Sequence, residues 1–146
     1  LITNQNNSDN YYKVVNVVDG DTIDININGT IARVRLIGID TPELVDPRQP
    51  VECFAQEASN KAKEVLTDQR VRLESDISQE DRDQYNRLLR YVWLEDGTNF
   101  NQLMLEQGFA FEYTYELPYL YQQEFKSAEN YAKNNELGLW NKNICP

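Results

Sequence analysis

Histidine is absent from the 146 residues. That gap removes Ser-His-Asp triads, histidine acid–base pairs and the common histidine-containing zinc sites. Any catalysis must therefore rest on carboxylates, arginine, lysine, tyrosine or a bound ion. Positive charge is scarce as well: 14 Lys and Arg stand against 24 Asp and Glu, for a net charge of −10. Such a balance argues against broad adhesion to nucleic acid through a basic face, although a local cleft with a bound cation escapes the restriction. Long apolar runs are missing, and none approaches the roughly 20 residues that span a bilayer. The chain carries no signal-peptide pattern and begins at Leu1 rather than Met, so a leader that was removed or is not included in this sequence is the expectation.

Only two cysteines occur, Cys53 and Cys145. Two unrelated buried thiols are one reading. The favoured one is a disulfide, because Cys145 lies in a terminal tail that would otherwise fray. Closing so long a loop stabilises by up to roughly 4–5 kcal/mol in the chain-entropy model. It implies an oxidising location, secreted or in the cell envelope.

Sufficient apolar material is present for a core. Hydrophobic residues make up 40% of the chain, with nine Tyr, five Phe and two Trp, which fits a single globular domain over residues 11–146 behind a flexible tail at residues 1–10. Tyr11–Val18 reads as a first strand, broken by the turn Asp19-Gly20-Asp21-Thr22. Ile23, Ile25 and Ile27 then alternate with Asp24, Asn26 and Asn28, the period of a half-buried second strand. Asn28-Gly29 signals a hairpin, and Ile31–Ile37 returns as a third strand with Arg33 and Arg35 on one face. The meander puts the Asp19–Thr22 turn and the exit through Asp40–Glu43 at one end of the sheet.

Leu44–Pro50 reads as a surface loop. Cys53–Thr67 reads as a helix with Phe54, Ala58, Ala62 and Val65 or Leu66 on one face. Val71–Ile77 and Leu88–Leu94 read as further strands, with the polar stretch Gln79–Asn86 between them as an exposed connection. A short helix capped by Thr98 or Asn99 runs through Gln107. Phe109–Tyr115 is extended, and Leu120–Asn135 is a last helix. Five strands and about three helices predict an α+β, mainly β fold: the small five-stranded oligonucleotide-binding (OB-fold) barrel, with an α+β sandwich as the alternative.

Val34–Glu43 concentrates charge at the end of an apolar strand: Arg35, then Asp40, Thr41 and Glu43. Buried charge must be paired or must bind something. Arg35 as a structural partner of Asp40 or Glu43 is one reading, and a metal-assisted site for an anionic substrate is the other. Asp83-Gln84-Tyr85-Asn86-Arg87 and the pair Tyr113/Tyr115 add a second cation and aromatic faces.

With these pieces in view, the chain resembles the staphylococcal nuclease (thermonuclease) family from about Tyr11 to Trp140. The Asp-Gly-Asp-Thr turn followed by Arg-Leu-Ile-Gly-Ile-Asp-Thr-Pro-Glu carries the resemblance. It implies a Ca2+-dependent phosphodiesterase acting on DNA and RNA and leaving 3′-phosphate ends, as a monomer. In that reading Asp21, Asp40 and the carbonyl of Thr41 hold the metal, and Asp19 supports them from behind. Glu43 orients or deprotonates water, Arg35 and Arg87 hold the phosphate, and Tyr85, Tyr113 and Tyr115 line a nucleotide pocket. Asn86 stands where the family usually has glycine, and positive φ is expected there. Rival readings are a catalytically inactive OB-fold that binds nucleic acid or protein, and a structural Ca2+ module. All-oxygen ligands suit Ca2+ or Mg2+ over zinc or copper.

Overall fold

The computed structural model describes residues 10–44, 48 and 50–146. Most of the expected tail at residues 1–10, and residues 45–47 and 49 of the expected surface loop, lie outside them. Five strands form a closed barrel in the order β1-β2-β3-β6-β5: β1 (Tyr12–Asp19), β2 (Thr22–Ile27), β3 (Thr30–Leu36), β5 (Arg70–Glu74) and β6 (Leu88–Leu94). The Asn-Gly hairpin is present, with φ of +51° at Asn28 and +91° at Gly29, so both tolerate the positive φ that the tight β2–β3 turn demands. Closure comes from β3 and β6, which pair in parallel with Val34 opposite Leu88 and Arg35 opposite Leu89. The OB-type barrel is thus the architecture, and the sandwich alternative falls.

Three helices, α1 (Ala55–Leu66), α2 (Phe100–Glu106) and α3 (Gln122–Asn134), cover the barrel, followed by a short 3-10 helix at Gly138–Trp140. Ala58, Ala62 and Leu66 give α1 its buried stripe. Asn99 caps α2 by accepting the N–H of Gln102. Under the helices lie Val14, Ile23, Ile25, Val34, Leu36, Val71, Tyr91, Phe100, Met104 and Phe125, all essentially without solvent contact. Each large side chain of this kind contributes about 1.5–3 kcal/mol by leaving water.

Several boundaries depart from the sequence reading for local physical reasons. Phe54 does not share the α1 face; it precedes the helix at φ +70° and stacks on Phe109 at 5.3 Å. The strand expected to reach Ile77 stops at Glu74, because Asp76 turns the chain by accepting the Ser78 N–H. Asp24 is buried rather than outward, held by Arg33 Nε at 2.9 Å from the directly opposite position on β3. Of the extended Phe109–Tyr115 only β7 (Phe111–Glu112) pairs, and its partner is the two-residue strand β4 (Ile39–Asp40).

Candidate active site

Asp21 opens the site because of a turn that only a small residue allows. A Cβ on Gly20 would stand 2.7 Å from Thr41 Cγ2, so a bare glycine lets the β1–β2 turn and the β4 exit touch. Across that contact the Thr41 N–H donates to Asp21 Oδ2 at 3.0 Å, and the Thr22 hydroxyl donates to Asp21 Oδ1 at 2.9 Å. The Leu36 N–H meets the Asp21 carbonyl at 2.9 Å. Turn and exit thus share one end of the sheet, as the meander predicts.

Arg35 reaches into the same place. Its Nη1 donates to the carbonyls of Leu36 (2.9 Å) and Ile39 (2.7 Å). Its Nη2 lies 3.4 Å from Asp21 Oδ2 and 3.5 Å from Asp40 Oδ1. One guanidinium therefore serves two carboxylates. Burial pushes the Asp21 carboxyl up, but Arg35 and the bonds from Asp19, Thr41 and Thr22 outweigh it and hold the group below its usual range. Asp19 is driven the other way, up to about 7, by burial and then by the charge of Asp21; its Oδ1 accepts the Asp21 N–H at 3.1 Å. Asp40 is also raised, first by burial, then by Asp21, with Arg35 opposing and Glu52 and Glu43 adding to the rise. Negative charge at this end exceeds what Arg35 neutralises.

Such a surplus fits a hard cation. The donors on offer are oxygens, the set that suits Ca2+ or Mg2+. Among the described residues no three acidic side chains converge closely enough to enclose a metal by themselves. The fit is therefore to an ion held by two carboxylates and backbone oxygen that keeps water in its remaining positions. Thr41 is buried beside Asp21, and Glu43 is exposed three residues beyond Asp40, its carbonyl accepting the Glu52 N–H at 3.2 Å.

Arg87 comes from the other side of the barrel closure. It precedes Leu88 of β6, two positions before Leu89, the partner of Arg35 on β3. Asp83 holds it: Oδ1 accepts the backbone N–H groups of Tyr85 and Arg87, both at 2.9 Å, while Oδ2 accepts Arg87 Nε at 2.7 Å. Asn86 has φ +64°, so asparagine does supply the left-handed turn. The guanidinium lies over Tyr85 with 5.4 Å to the ring centroid. Among the described residues its ion-pair partner is Asp83, met through Nε.

Tyr113 reaches this end through β7, its N–H donating to the Gly38 carbonyl at 2.9 Å. The Tyr113 and Tyr115 rings stack at 6.4 Å and 20°. All three candidate pocket tyrosines present open faces, with 70% of Tyr85, 43% of Tyr113 and 63% of Tyr115 exposed.

Three contributors escape the sequence reading. Asp83 orients Arg87, and its place four residues upstream was the available signal. Glu52 adds charge near Asp40 and has no signal in the sequence. Asn101 is fully buried and ties β6 to the end of β3, accepting the Val92 N–H at 3.0 Å and donating to the Ile37 carbonyl at 2.9 Å.

Cys53 and Cys145 form a disulfide with Cα atoms 5.9 Å apart, across 92 residues of sequence. Among the described residues no helix is long and apolar enough to cross a membrane.

Comparison with known proteins follows the same lines. The family described as staphylococcal nuclease homologue matches residues 33–142. A thermonuclease of Staphylococcus hyicus is 40% identical over 135 residues, covering 92% of this chain and 78% of its own. A thermonuclease of Staphylococcus intermedius is 44% identical over 131 residues, covering 90% and 76%. The SPbeta prophage-derived endonuclease YokF of Bacillus subtilis (strain 168) is 39% identical over 127 residues, 86% of this chain and 42% of the longer relative.

Proposed function

This chain belongs to the staphylococcal nuclease family, and from that premise we propose that it is a Ca2+-dependent nuclease hydrolysing phosphodiester bonds in DNA and RNA to products with 3′-phosphate ends. The observation that carries the reading is the carboxylate excess around one guanidinium: Arg35 Nη2 stands between Asp21 and Asp40, with Asp19 and Asp40 both raised in pKa by burial and by neighbouring negative charge. The polarity of the products rests on family resemblance alone.

Asp21 and Asp40, with the Thr41 carbonyl, are the proposed metal ligands, and Asp19 supports Asp21 from the turn. A bound Ca2+ would neutralise charge on the phosphoryl oxygens and present water to phosphorus. Were the two aspartates so engaged, Arg35 Nη2 would be free to meet a phosphate oxygen, while Nη1 is held on the carbonyls of Leu36 and Ile39. Arg87 approaches with its terminal nitrogens, its Nε kept by Asp83. A planar fork held at one edge is suited to bidentate contact with phosphate, which a lysine would not reproduce. Glu43 is the proposed base or water-orienting group, a role a carboxylate can fill without histidine. Tyr85, Tyr113 and Tyr115 offer stacking faces to bases.

The working unit is proposed to be the single domain from residue 11 to 146, acting as a monomer. The disulfide supports an oxidising, extracellular or envelope setting. An inactive binding barrel is the second reading. It is disfavoured by the trio Arg35, Glu43 and Arg87, because a binding module has no need to keep all three.

Plasmid DNA incubated with Ca2+, Mg2+ or EDTA tests the assignment. Cleavage with Ca2+ and none with EDTA is expected. Glu43→Ser should reduce turnover by about 10²-fold or more with unchanged circular dichroism. A folded protein that cuts nothing in Ca2+ would leave only the binding readings.

A further inference from the structure

The disulfide stands at the base of the segment that carries Glu43. The Glu43 carbonyl accepts the Glu52 N–H at 3.2 Å, and the Glu52 carbonyl accepts the N–H of Ala55, the first residue of α1, at 3.1 Å. Cys53 follows Glu52 directly. Its partner Cys145 belongs to a terminal turn in which both the Ile144 and Cys145 N–H groups donate to the Asn141 carbonyl, at 2.9 and 2.8 Å. That turn continues the 3-10 helix, where the Leu139 N–H donates to the Gly108 carbonyl at 2.9 Å. There the Trp140 ring meets Phe111 edge-on at 5.5 Å. Phe111 is the β7 partner of Asp40.

The contacts close a circuit. It runs from Glu43 through Glu52 to Cys53, across the sulfur bridge to Cys145, back through Trp140 and Phe111 to Asp40, and along Thr41 and Pro42 to Glu43. Both ends are residues of the proposed site, a metal carboxylate and the water handler. None of the barrel strands β1, β2, β3, β5 and β6 contributes a residue to it, and neither cysteine belongs to the buried core.

We propose that the Cys53–Cys145 disulfide is a positioning element for Glu43, and that its reduction slows turnover while leaving the barrel folded. The inference rests on the nuclease reading of the site. With the bridge open, the terminal segment no longer holds the Glu43–Glu52 neck against β4 and β7. The carboxylate then samples positions away from the water it must direct. Displacements of about 1 Å at a reacting group lower rates by up to about 10²-fold, so a small loosening suffices. The chemistry of the switch is thiol–disulfide exchange. One thiolate of a dithiol attacks a bridge sulfur to form a mixed disulfide. The second thiolate then displaces the protein sulfur. Two electrons pass to Cys53 and Cys145, which take up protons as thiols, and the dithiol closes into its own cyclic disulfide. A chain kept in a reducing compartment is accordingly slow, and it gains activity on oxidation.

The test compares oxidised protein, protein reduced with dithiothreitol, and the Cys53→Ser/Cys145→Ser variant, on plasmid DNA in saturating Ca2+. Free thiols are counted in each sample, and circular dichroism is recorded at the assay temperature. Expected are a fall in kcat of about tenfold or more, an unchanged KM, native circular dichroism, and recovery of the reduced sample on treatment with oxidised glutathione. In a Glu43→Ser background, reduction should produce no further fall. A bridge that only stabilises the fold would move the melting temperature and leave kcat of the folded protein alone. Equal kcat in the oxidised and reduced proteins overturns the proposal, as does loss of the folded signal on reduction. So does the same fractional fall in the Glu43→Ser background. An oxidised chain that cuts nothing is a different result and defeats the nuclease reading itself.

Discussion

Arg35 and Arg87 carry the same charge and are held in opposite ways. Arg35 is anchored through Nη1 to two carbonyls and shares Nη2 with two aspartates, so its proposed contact with substrate would require those aspartates to find another cation. Arg87 is anchored through Nε to Asp83 and lies over the Tyr85 ring, and its orientation depends on the Asp83–Arg87 turn, where Asn86 sits at φ +64°. Glycine accepts that conformation freely, whereas a β-branched residue is strained there by about 1–2 kcal/mol. Asn86→Gly should keep stability and turnover. Asn86→Val should lose about 1–2 kcal/mol in urea unfolding and also lower kcat, because Arg87 swings with the turn. A valine variant as stable and as active as the parent would disprove the link. At this scale the sequence made Asp21, Arg35, Asp40 and Asn86 visible, since each sits at a strand end or turn whose backbone demands are local. Glu52 and Asn101 stayed hidden because their roles exist only through partners brought up by the fold, whereas the partners of Asp83 lie within four residues of it.

Helix α3 is seated by a carboxylate at the end of β5. Asp76 Oδ2 accepts the hydroxyl of the fully buried Tyr91 at 2.6 Å and the Leu120 N–H at 2.8 Å. Its Oδ1 accepts the N–H and hydroxyl of Ser78, at 2.9 and 2.7 Å. Burial pushes this carboxyl up, but Tyr91, Leu120 and Ser78 outweigh it and hold the group below its usual range. A depressed folded pKa stabilises the protein at pH values above about 4, the unfolded carboxylate value, and that contribution fades as pH falls through the folded value. Tyr91→Phe should therefore cost about 1–3 kcal/mol at pH 7. The gap between the two proteins should narrow below about pH 4, as read by urea unfolding across pH. A gap constant from neutral to acid pH would show that Asp76 is not the titrating partner. Periodicity exposed β2, β3, β6 and the helices because their apolar spacing is regular. It missed the two-residue β4 and the pairing of β7 with it, and it could not show that β3 pairs with β6, a contact between segments separated by a helix and two strands.

Across the whole molecule the net charge of −10 opposes an incoming polyanion, and the positive charge at the site is largely occupied by aspartates. Substrate affinity should thus lean on the metal more than on the protein surface. The Glu43→Ser protein, titrated with a single-stranded oligonucleotide, should bind far more weakly in EDTA than in Ca2+. Equal Kd values in the two would remove the argument.

The parallel β3–β6 closure also sets an order in time. A ribosome delivers Asp21, Arg35 and Asp40 early. Arg87 and the closing strand emerge only after α1 and β5, and contacts between distant segments form late and slowly. A nascent chain stalled before Leu94 therefore holds half a site on an unfinished barrel. The site is therefore incomplete until β6 docks against β3.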